Sequence, residues 1–156
     1  MEKADEGQLQ QVIYMRKDVE IVTNLDTIDF GEVSEILNFY GLSDYGKEMQ
    51  KQIFQNSYAV VFLKKDNMII GVGRAISDGI SQAAIYNIAV RDSYRGQGYG
   101  KLIVEELIKQ LSDCNIILYT HPKHIGLYEH WGFSRLNTAY ARYVDETHYR
   151  EEGFID

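Results

Sequence analysis

A glycine-rich stretch in the middle of the chain carries the residues best suited to bind a charged ligand. It reads Ile88-Ala-Val-Arg-Asp-Ser-Tyr-Arg-Gly-Gln-Gly-Tyr-Gly-Lys101 and leads from a strand-like segment, through a turn, into a helical segment. Glycines let the backbone approach a ligand closely, and the unpaired N–H groups and the dipole at a helix start attract phosphate. The stretch therefore predicts a site for a ligand that carries a pyrophosphate.

Two common phosphate-binding motifs do not fit the spacing of this stretch. A Walker loop needs a glycine where Arg95 stands, and it needs Ser or Thr where Leu102 stands. The dinucleotide motif Gly-x-Gly-x-x-Gly fails because Lys101 occupies the place of the third glycine. What remains is the pattern Arg95-x-x-Gly98-x-Gly100, which disfavours a nucleoside triphosphatase.

That pattern resembles the acetyl-CoA signature of the Gcn5-related N-acetyltransferases, Arg/Gln-x-x-Gly-x-Gly/Ala between a strand and a helix. The likeness extends from about Tyr58 to Tyr143. It implies that backbone N–H groups of the turn hold the CoA pyrophosphate, at Arg95, Gly96, Gln97, Gly98, Tyr99 and Gly100, with Lys101 nearby. It also implies a bulged strand whose backbone pairs with the pantetheine arm at Ile88, Ala89 and Val90. The alternative is a solvated turn that binds no ligand, whose glycines only allow the backbone conformation of the turn.

A second segment, Gly126-Leu-Tyr-Glu-His-Trp-Gly-Phe133, resembles the later part of the same family, where an aromatic-rich helix ends in Gly-Phe. In many members the tyrosine that matches Tyr128 protonates the departing CoA thiolate. The resemblance thus implies that Tyr128 is the general acid, because a nearby phenol can meet the charge on the leaving sulfur. The alternative is amphipathic packing, since the chain has 12 tyrosines.

The general base and a metal site are less well indicated by the sequence. Tyr86, Glu129, His121 and His124 are candidate bases, although the family often removes the amine proton through a water chain and needs no single residue. Each of them has a structural or solvated role as its alternative. His121-x-x-His124 with His130 lacks a carboxylate or Cys at ligand spacing, so we predict no metal.

An acceptor pocket is expected before the strand-rich part of the chain, where Phe39, Tyr40, Leu42 and Tyr45 gather beside Asp44. In this family the first two helices commonly overhang the acceptor. Aromatic rings with an acidic neighbour suit an amine, because the rings stack and the carboxylate pairs with ammonium. The alternative is that these residues are simply core and loop.

The predicted helices and strands around these residues indicate an α/β (α+β) fold with a mixed, twisted sheet flanked by helices. Helices are predicted from Asp29 to Gly41, at Tyr45–Phe54 and from about Gly98 to Leu111. An antiparallel meander is predicted from Tyr58–Leu63, Met68–Ile76 and Ile80–Val90, with a V-shaped opening after the third strand. Asn115–Thr120 should run parallel to that third strand, because a helix connects the two. The remaining predicted elements are a strand or hairpin within Gln11–Val22, a short helix from Pro122 to His130, and strands at Phe133–Leu136 and Thr138–Val144.

Length and composition predict one domain over residues 1–156, with flexible tails at about 1–10 and 145–156. The short apolar runs, and a start that lacks a basic segment followed by an apolar one, predict a cytoplasmic location. A net charge of −7 disfavours nucleic acid and anionic membranes as partners. A homodimer stays open. The apolar runs are too short to cross a bilayer, and the lone Cys114 cannot form an internal disulfide. Because Cys114 lies outside the matched sites, no covalent acyl-enzyme is implied.

The resemblance implies direct transfer of an acetyl group from acetyl-CoA to a primary amine, in a ternary complex with a small molecule. Two alternatives stay open. The acceptor would be a protein N-terminus or lysine if the site is an open groove, and the chain would be a non-catalytic acetyl-CoA-binding module if no turnover occurs.

Overall fold

The computed structural model describes residues 13–156, and the strands of this part of the chain form one mixed sheet. Its strands, in spatial as well as chain order, are β1 (Tyr14–Arg16), β2 (Val19–Val22), β3 (Ala59–Lys65), β4 (Met68–Ser77), β5 (Gln82–Val90) and β6 (Asn115–Ile117). Neighbours from β1 to β5 are antiparallel, whereas β6 runs parallel to β5 over three residue pairs that start at Gln82 and Asn115. The predicted meander and the predicted parallel crossover strand are both confirmed.

The described helices are α1 (Phe30–Phe39), α2 (Lys47–Gln55), α3 (Tyr99–Gln110) and α4 (Glu146–Glu151). Asp29 is the N-cap of α1 as predicted, because its carboxylate accepts a hydrogen bond from the Gly31 N–H at 2.8 Å. Gly41, with a φ of 67°, follows α1 in the left-handed conformation that commonly ends a helix. None of the helices in the described part of the chain has the length and apolar character of a membrane span.

Apolar side chains fill both faces of the sheet. On one face, α1 and α2 pack against it through a cluster that includes Leu37, Phe54, Phe62 and Val72. On the other face, α3 comes so close that a Cβ added to Gly73 of β4 would lie 2.5 Å from Ile103 Cγ2. Glycine in β4 therefore allows α3 to pack directly on the sheet, and this packing fixes the start of α3 against the end of β5.

A β-bulge interrupts β5 next to the glycine-rich turn. Val72 pairs with Ala89 and Arg74 pairs with Tyr86, so two residues of β5 stand opposite one residue of β4. Asn87 at the bulge has a φ of 59°, which the Asn side chain tolerates better than most. The bulge thus lies at residues 87 and 88, one position earlier than predicted.

Residues Leu118–Asp156 form a second compact unit, which follows in sequence the unit that ends at Ile117. The second unit contains two short 3₁₀ helices, Pro122–His124 and Tyr128–Trp131, and α4, which lies within the segment expected to be a tail. Aromatic rings pack within it: the Tyr143 and Tyr149 rings stack with centroids 3.6 Å apart. The prediction of a single domain stays a prediction.

The strands predicted at Phe133–Leu136 and Thr138–Val144 are wrong, since the structure has no strand among residues 133–144. Strand propensity is expressed only where a neighbouring strand accepts the backbone hydrogen bonds. Tyr140 and Val144 are instead fully exposed. The strand predicted at Asn115–Thr120 is likewise shortened to β6, and residues 1–12, which hold one predicted tail and the start of the first predicted strand, lie outside the described residues.

Candidate active site

The glycine-rich turn connects the end of β5 with the start of α3 and is open to solvent. Residues 95–98 are exposed, and Gly96 and Gly98 have φ values of 75° and 83°, in the left-handed region that favours glycine. The first hydrogen bond of α3 runs from the Leu102 N–H to the Gly98 carbonyl at 3.1 Å. The N–H groups between these two residues therefore have no acceptor within the helix. They form the positive end of the α3 dipole. This geometry is that of an anion-binding nest.

The end of β5 leaves backbone groups available beside this turn. The ladder between β5 and β6 ends at Ala84, six residues before Val90. The Arg91 N–H donates to the Ile70 carbonyl of β4 at 2.7 Å, so alternation along the strand turns the N–H and C=O of Val90 away from β4. Ile88 lies in the bulge, where the regular pairing with β4 is interrupted. An extended ligand chain could pair with these groups, while Ala89 is buried in the core.

Tyr40, predicted to line the acceptor pocket, contacts the predicted cofactor segments instead. Its hydroxyl donates to the Val90 carbonyl at 2.5 Å, and the Arg95 guanidinium lies 5.7 Å from the centroid of its ring. Burial raises the pKa of Tyr40, and the nearby Arg95 charge opposes that rise. Tyr40 thus links the end of α1 to both the end of β5 and the turn, a contact across 50 positions that sequence spacing does not reveal.

We expect Tyr40→Phe to lower the free energy of unfolding by about 1 kcal/mol, because it removes the partly buried hydrogen bond to Val90 and keeps the ring. Urea denaturation followed by circular dichroism measures this change. Tyr45→Phe is the matched control, since the Tyr45 side chain is 46% exposed. Equal destabilisation by the two substitutions would mean that the hydrogen bond to Val90 contributes nothing.

The other residues of the predicted acceptor pocket form an exposed surface around the α1–α2 connection. Phe39 is 66% exposed, Leu42 and Tyr45 are each 46% exposed, and Asp44 is also exposed. They are therefore not core residues, whereas the loop part of that alternative still applies to Leu42, Asp44 and Tyr45, which lie between α1 and α2. Large apolar side chains on a surface, next to a carboxylate, are suited to contact an amine ligand.

Tyr128 lies in the second unit, at the start of the 3₁₀ helix Tyr128–Trp131. Its ring makes edge-to-face contacts with Trp131 and Phe133, at centroid distances of 5.1 and 5.7 Å. Burial raises the pKa of Tyr128, so its phenol is protonated at neutral pH. That is the state a proton donor requires. The ring contacts show that Tyr128 has the packing role named as the alternative, and its role as the acid stays a prediction.

The candidate bases are divided between the two units. Tyr86 in β5 lies under the Arg74 guanidinium, 5.3 Å from its ring centroid, and Arg74 also donates to Asn87 Oδ1 at 2.6 Å. In the second unit His121 accepts from the Lys123 N–H at 3.2 Å and lies 3.5 Å from the Glu152 carboxylate. These contacts assign local structural roles to Tyr86 and His121. Nowhere in residues 13–156 do three His, Cys, Asp or Glu side chains gather to hold a metal ion.

Sequence reasoning missed a cluster that joins the β1–β2 hairpin to the glycine-rich turn. Lys17 Nζ donates to the Gln97 carbonyl at 3.3 Å, and the Tyr99 hydroxyl donates to Asp18 at 2.6 Å. Hydrogen bonds from Lys65 and Tyr99 lower the pKa of Asp18 to about 2. Because about 80 positions separate the partners, no local pattern could have indicated these contacts.

A model of the acetyltransferase (GNAT) family matches residues 23–133, which include the turn, β5 and Tyr128. An uncharacterized N-acetyltransferase ycf52 of Gracilaria tenuistipitata var. liui is 34% identical over 90 residues, which are 53% of this chain and 50% of the relative. The chain thus aligns with only half the length of this relative.

Solved structures share the fold. A probable acetyltransferase of meticillin-resistant Staphylococcus aureus superposes with a TM-score of 0.66 and 26% identity, over 79% of this chain and 99% of that one. A GNAT family acetyltransferase of Elizabethkingia anophelis with acetyl-CoA bound has a TM-score of 0.62 and 21% identity, over 78% of this chain and 80% of that one. The likeness to the latter shows the fold alone.

Proposed function

Because the chain belongs to the acetyltransferase (GNAT) family, we propose that it transfers the acetyl group of acetyl-CoA to a primary amine of a small molecule, by direct transfer in a ternary complex. The observation that carries this proposal is the nest at Gly96 and Gly98, at the start of α3 and beside the free backbone edge of β5. The nest suits a diphosphate, and the free backbone edge of β5 suits the amide-containing arm of the cofactor.

In this proposal the backbone N–H groups from Gly96 to Gly100 bind the diphosphate, with Lys101 nearby. The Arg95 N–H, which the sequence also assigned to this role, already donates to the Asp92 carbonyl at 3.2 Å. The Val90 N–H and the N–H and C=O groups of Ile88 pair with the pantetheine amides, while Ala89 anchors this part of the strand in the core. Tyr40 occupies the Val90 carbonyl, which leaves the Val90 N–H and the Ile88 groups for the ligand.

The chemical step needs a neutral amine and a stabilised leaving group. The amine nitrogen attacks the thioester carbonyl, the C–S bond breaks, and the electron pair goes to sulfur as a thiolate. Tyr128 then gives its proton to the thiolate, since its phenol is protonated at neutral pH. The phenolate, whose raised pKa makes it a strong base, takes a proton back from water. The ammonium proton leaves through water, which needs no dedicated base.

We propose the exposed surface of Phe39, Leu42, Asp44 and Tyr45 as the region that contacts the acceptor. The rings and Leu42 would contact the apolar part of the amine, and the Asp44 carboxylate would pair with ammonium before the proton is lost. A net charge of −7 also favours a cationic acceptor over an anionic one. The cytoplasmic location stays a prediction.

A release assay tests the function directly. Free CoA thiol is followed with a chromogenic disulfide while the protein is mixed with acetyl-CoA and a panel of aromatic amines, aliphatic diamines and lysine or N-terminal peptides. We expect at least one small amine to accelerate thiol release above the hydrolysis rate. Acceleration by peptides alone would assign a protein acceptor, and binding of acetyl-CoA with no accelerating amine would indicate a non-catalytic module.

A further inference from the structure

The turn of the β1–β2 hairpin is held on both sides of Lys17. Before it, the Arg16 guanidinium donates to Glu105 at 2.8 Å and to Glu106 at 2.9 Å, both of which lie on α3. After it, the Asp18 carboxylate accepts from the Tyr99 hydroxyl in the first turn of α3. Lys17 itself has a φ of 55° and is exposed. Its backbone position is therefore fixed relative to the glycine-rich turn, while its side chain meets solvent.

The Lys17 side chain extends to the nest. Besides the bond from Nζ to the Gln97 carbonyl, a Cβ added to Gly98 would lie 2.7 Å from Lys17 Nζ, and Nζ lies 5.8 Å from the centroid of the Tyr99 ring. An ammonium group has three donors, and the Gln97 carbonyl takes one of them. The others are available to an anion that binds at Gly98.

The charge balance of the turn distinguishes Lys17 from the neighbouring cations. Arg95 lies 3.7 Å from the Asp92 carboxylate, and Lys101 lies 3.9 Å from the Glu105 carboxylate. The Asp18 carboxylate, adjacent to Lys17 in sequence, pairs with Lys65. Within residues 13–156, Lys17 forms no ion pair with a carboxylate. Among the cations at the nest, Lys17 is thus the one whose charge no described carboxylate neutralises.

On the premise that the proposed function is correct, we propose that Lys17 binds the diphosphate of CoA through its ammonium group. The hairpin then supplies a cation from outside the strand–turn–helix motif, at the point where the backbone N–H groups of the nest converge. Such a charge-assisted hydrogen bond is stronger than one from a neutral donor, and partial exposure to water weakens it.

The test compares the wild type, Lys17→Met and Lys17→Arg by isothermal titration calorimetry with CoA and with dephospho-CoA, which keeps the diphosphate and lacks the 3′-phosphate. We expect Lys17→Met to weaken the binding of both ligands about tenfold, and Lys17→Arg to restore most of the loss. The dependence of Kd on salt should also become less steep in Lys17→Met, because one attractive charge is absent. A purely structural role of Lys17 would not change that slope.

Lys64→Met, on β3, is the matched control for loss of one positive charge, and we expect unchanged Kd values. Equal Kd values for the wild type and Lys17→Met would overturn the inference, and so would a loss with CoA that is absent with dephospho-CoA. An equal weakening that leaves the salt slope unchanged would also overturn it. Failure of the wild type to bind CoA would instead reject the proposed function, so the two failures are distinguishable.

Discussion

Gly98→Asp should abolish the thermal stabilisation of the protein by acetyl-CoA. For the wild type, a ligand at about 100 times its Kd adds roughly 2.7 kcal/mol to the stability of the folded state. In a chain of 156 residues that corresponds to a rise in Tm of about 5–10 °C. ATP and NAD, whose binding motifs the turn does not match, should produce no such rise.

The expected loss has a steric and an electrostatic cause. Gly98 is the N-cap residue of α3 with a φ of 83°, and any Cβ placed there extends from the nest toward Lys17 Nζ. An aspartate puts its negative charge where the diphosphate should lie, and it also offers Lys17 a carboxylate partner. The N–H groups that should hold phosphate would then face a competing anion within the same chain.

The unliganded variant should still fold. A non-glycine residue at positive φ costs about 1 kcal/mol, and Asp tolerates this region better than most residues do. A carboxylate at the start of a helix also interacts favourably with the helix dipole. We therefore expect the Tm of unliganded Gly98→Asp to lie within a few degrees of the wild-type value, as measured by differential scanning fluorimetry.

Two further variants separate charge from geometry. Gly98→Asn has nearly the same size without the charge, and it should keep a reduced but measurable response to acetyl-CoA. Gly153→Asp makes the same change at a φ of 82° in the second unit, where the nearest atom to an added Cβ is 3.7 Å away, and its response should equal that of the wild type. Full stabilisation of Gly98→Asp by acetyl-CoA would show that the turn does not bind the diphosphate.

Local patterns predicted the parts of the fold that depend on neighbouring residues. The Asp29 cap and the helical spacing up to Gly41 located α1, and the change to helical spacing after Gly100 located α3. The parallel pairing of β5 and β6 followed from the helix between them, because a crossover leaves little choice of direction. These features are determined by short-range backbone preferences and by connectivity.

Contacts between distant segments could not be predicted in the same way. The sequence assigns Tyr40 to the acceptor pocket, yet its hydroxyl donates to the Val90 carbonyl. Lys17 and Asp18 lie within a segment predicted only as a strand or a hairpin, although they contact the glycine-rich turn and the start of α3. The two strands predicted after Gly132 failed for a related reason, since propensity alone does not supply a pairing partner.

Tyr128→Phe should lower the single-turnover rate of acetyl transfer by roughly 10²- to 10⁴-fold, the usual effect of losing a positioned general acid. The substitution removes the hydroxyl and keeps the ring, so the edge-to-face contacts with Trp131 and Phe133 should persist. The stability of the protein and its affinity for CoA should therefore change little. The fall should appear in the chemical step alone.

Single-turnover measurement by rapid quench is needed because amine binding or product release could limit the steady-state rate. If release is limiting, kcat would fall less than the chemical step, although the acid role is real. Burial raises the pKa of Tyr128 above its ordinary value, so its phenol stays protonated at neutral and mildly alkaline pH. The wild-type rate of the acid step should therefore be independent of pH between about pH 7 and 9. Any loss of activity in that range should come from the titration of groups other than Tyr128.

Tyr140→Phe is the matched control, because it removes the same atom in the same unit from a side chain that is fully exposed. We expect a wild-type rate for it. A normal single-turnover rate in Tyr128→Phe would exclude Tyr128 as the acid and leave packing against Trp131 and Phe133 as its role. Water would then protonate the thiolate. The inferred acetyl-CoA site would still stand, because it is based on the turn at Gly96 and Gly98 and is tested independently by Gly98→Asp.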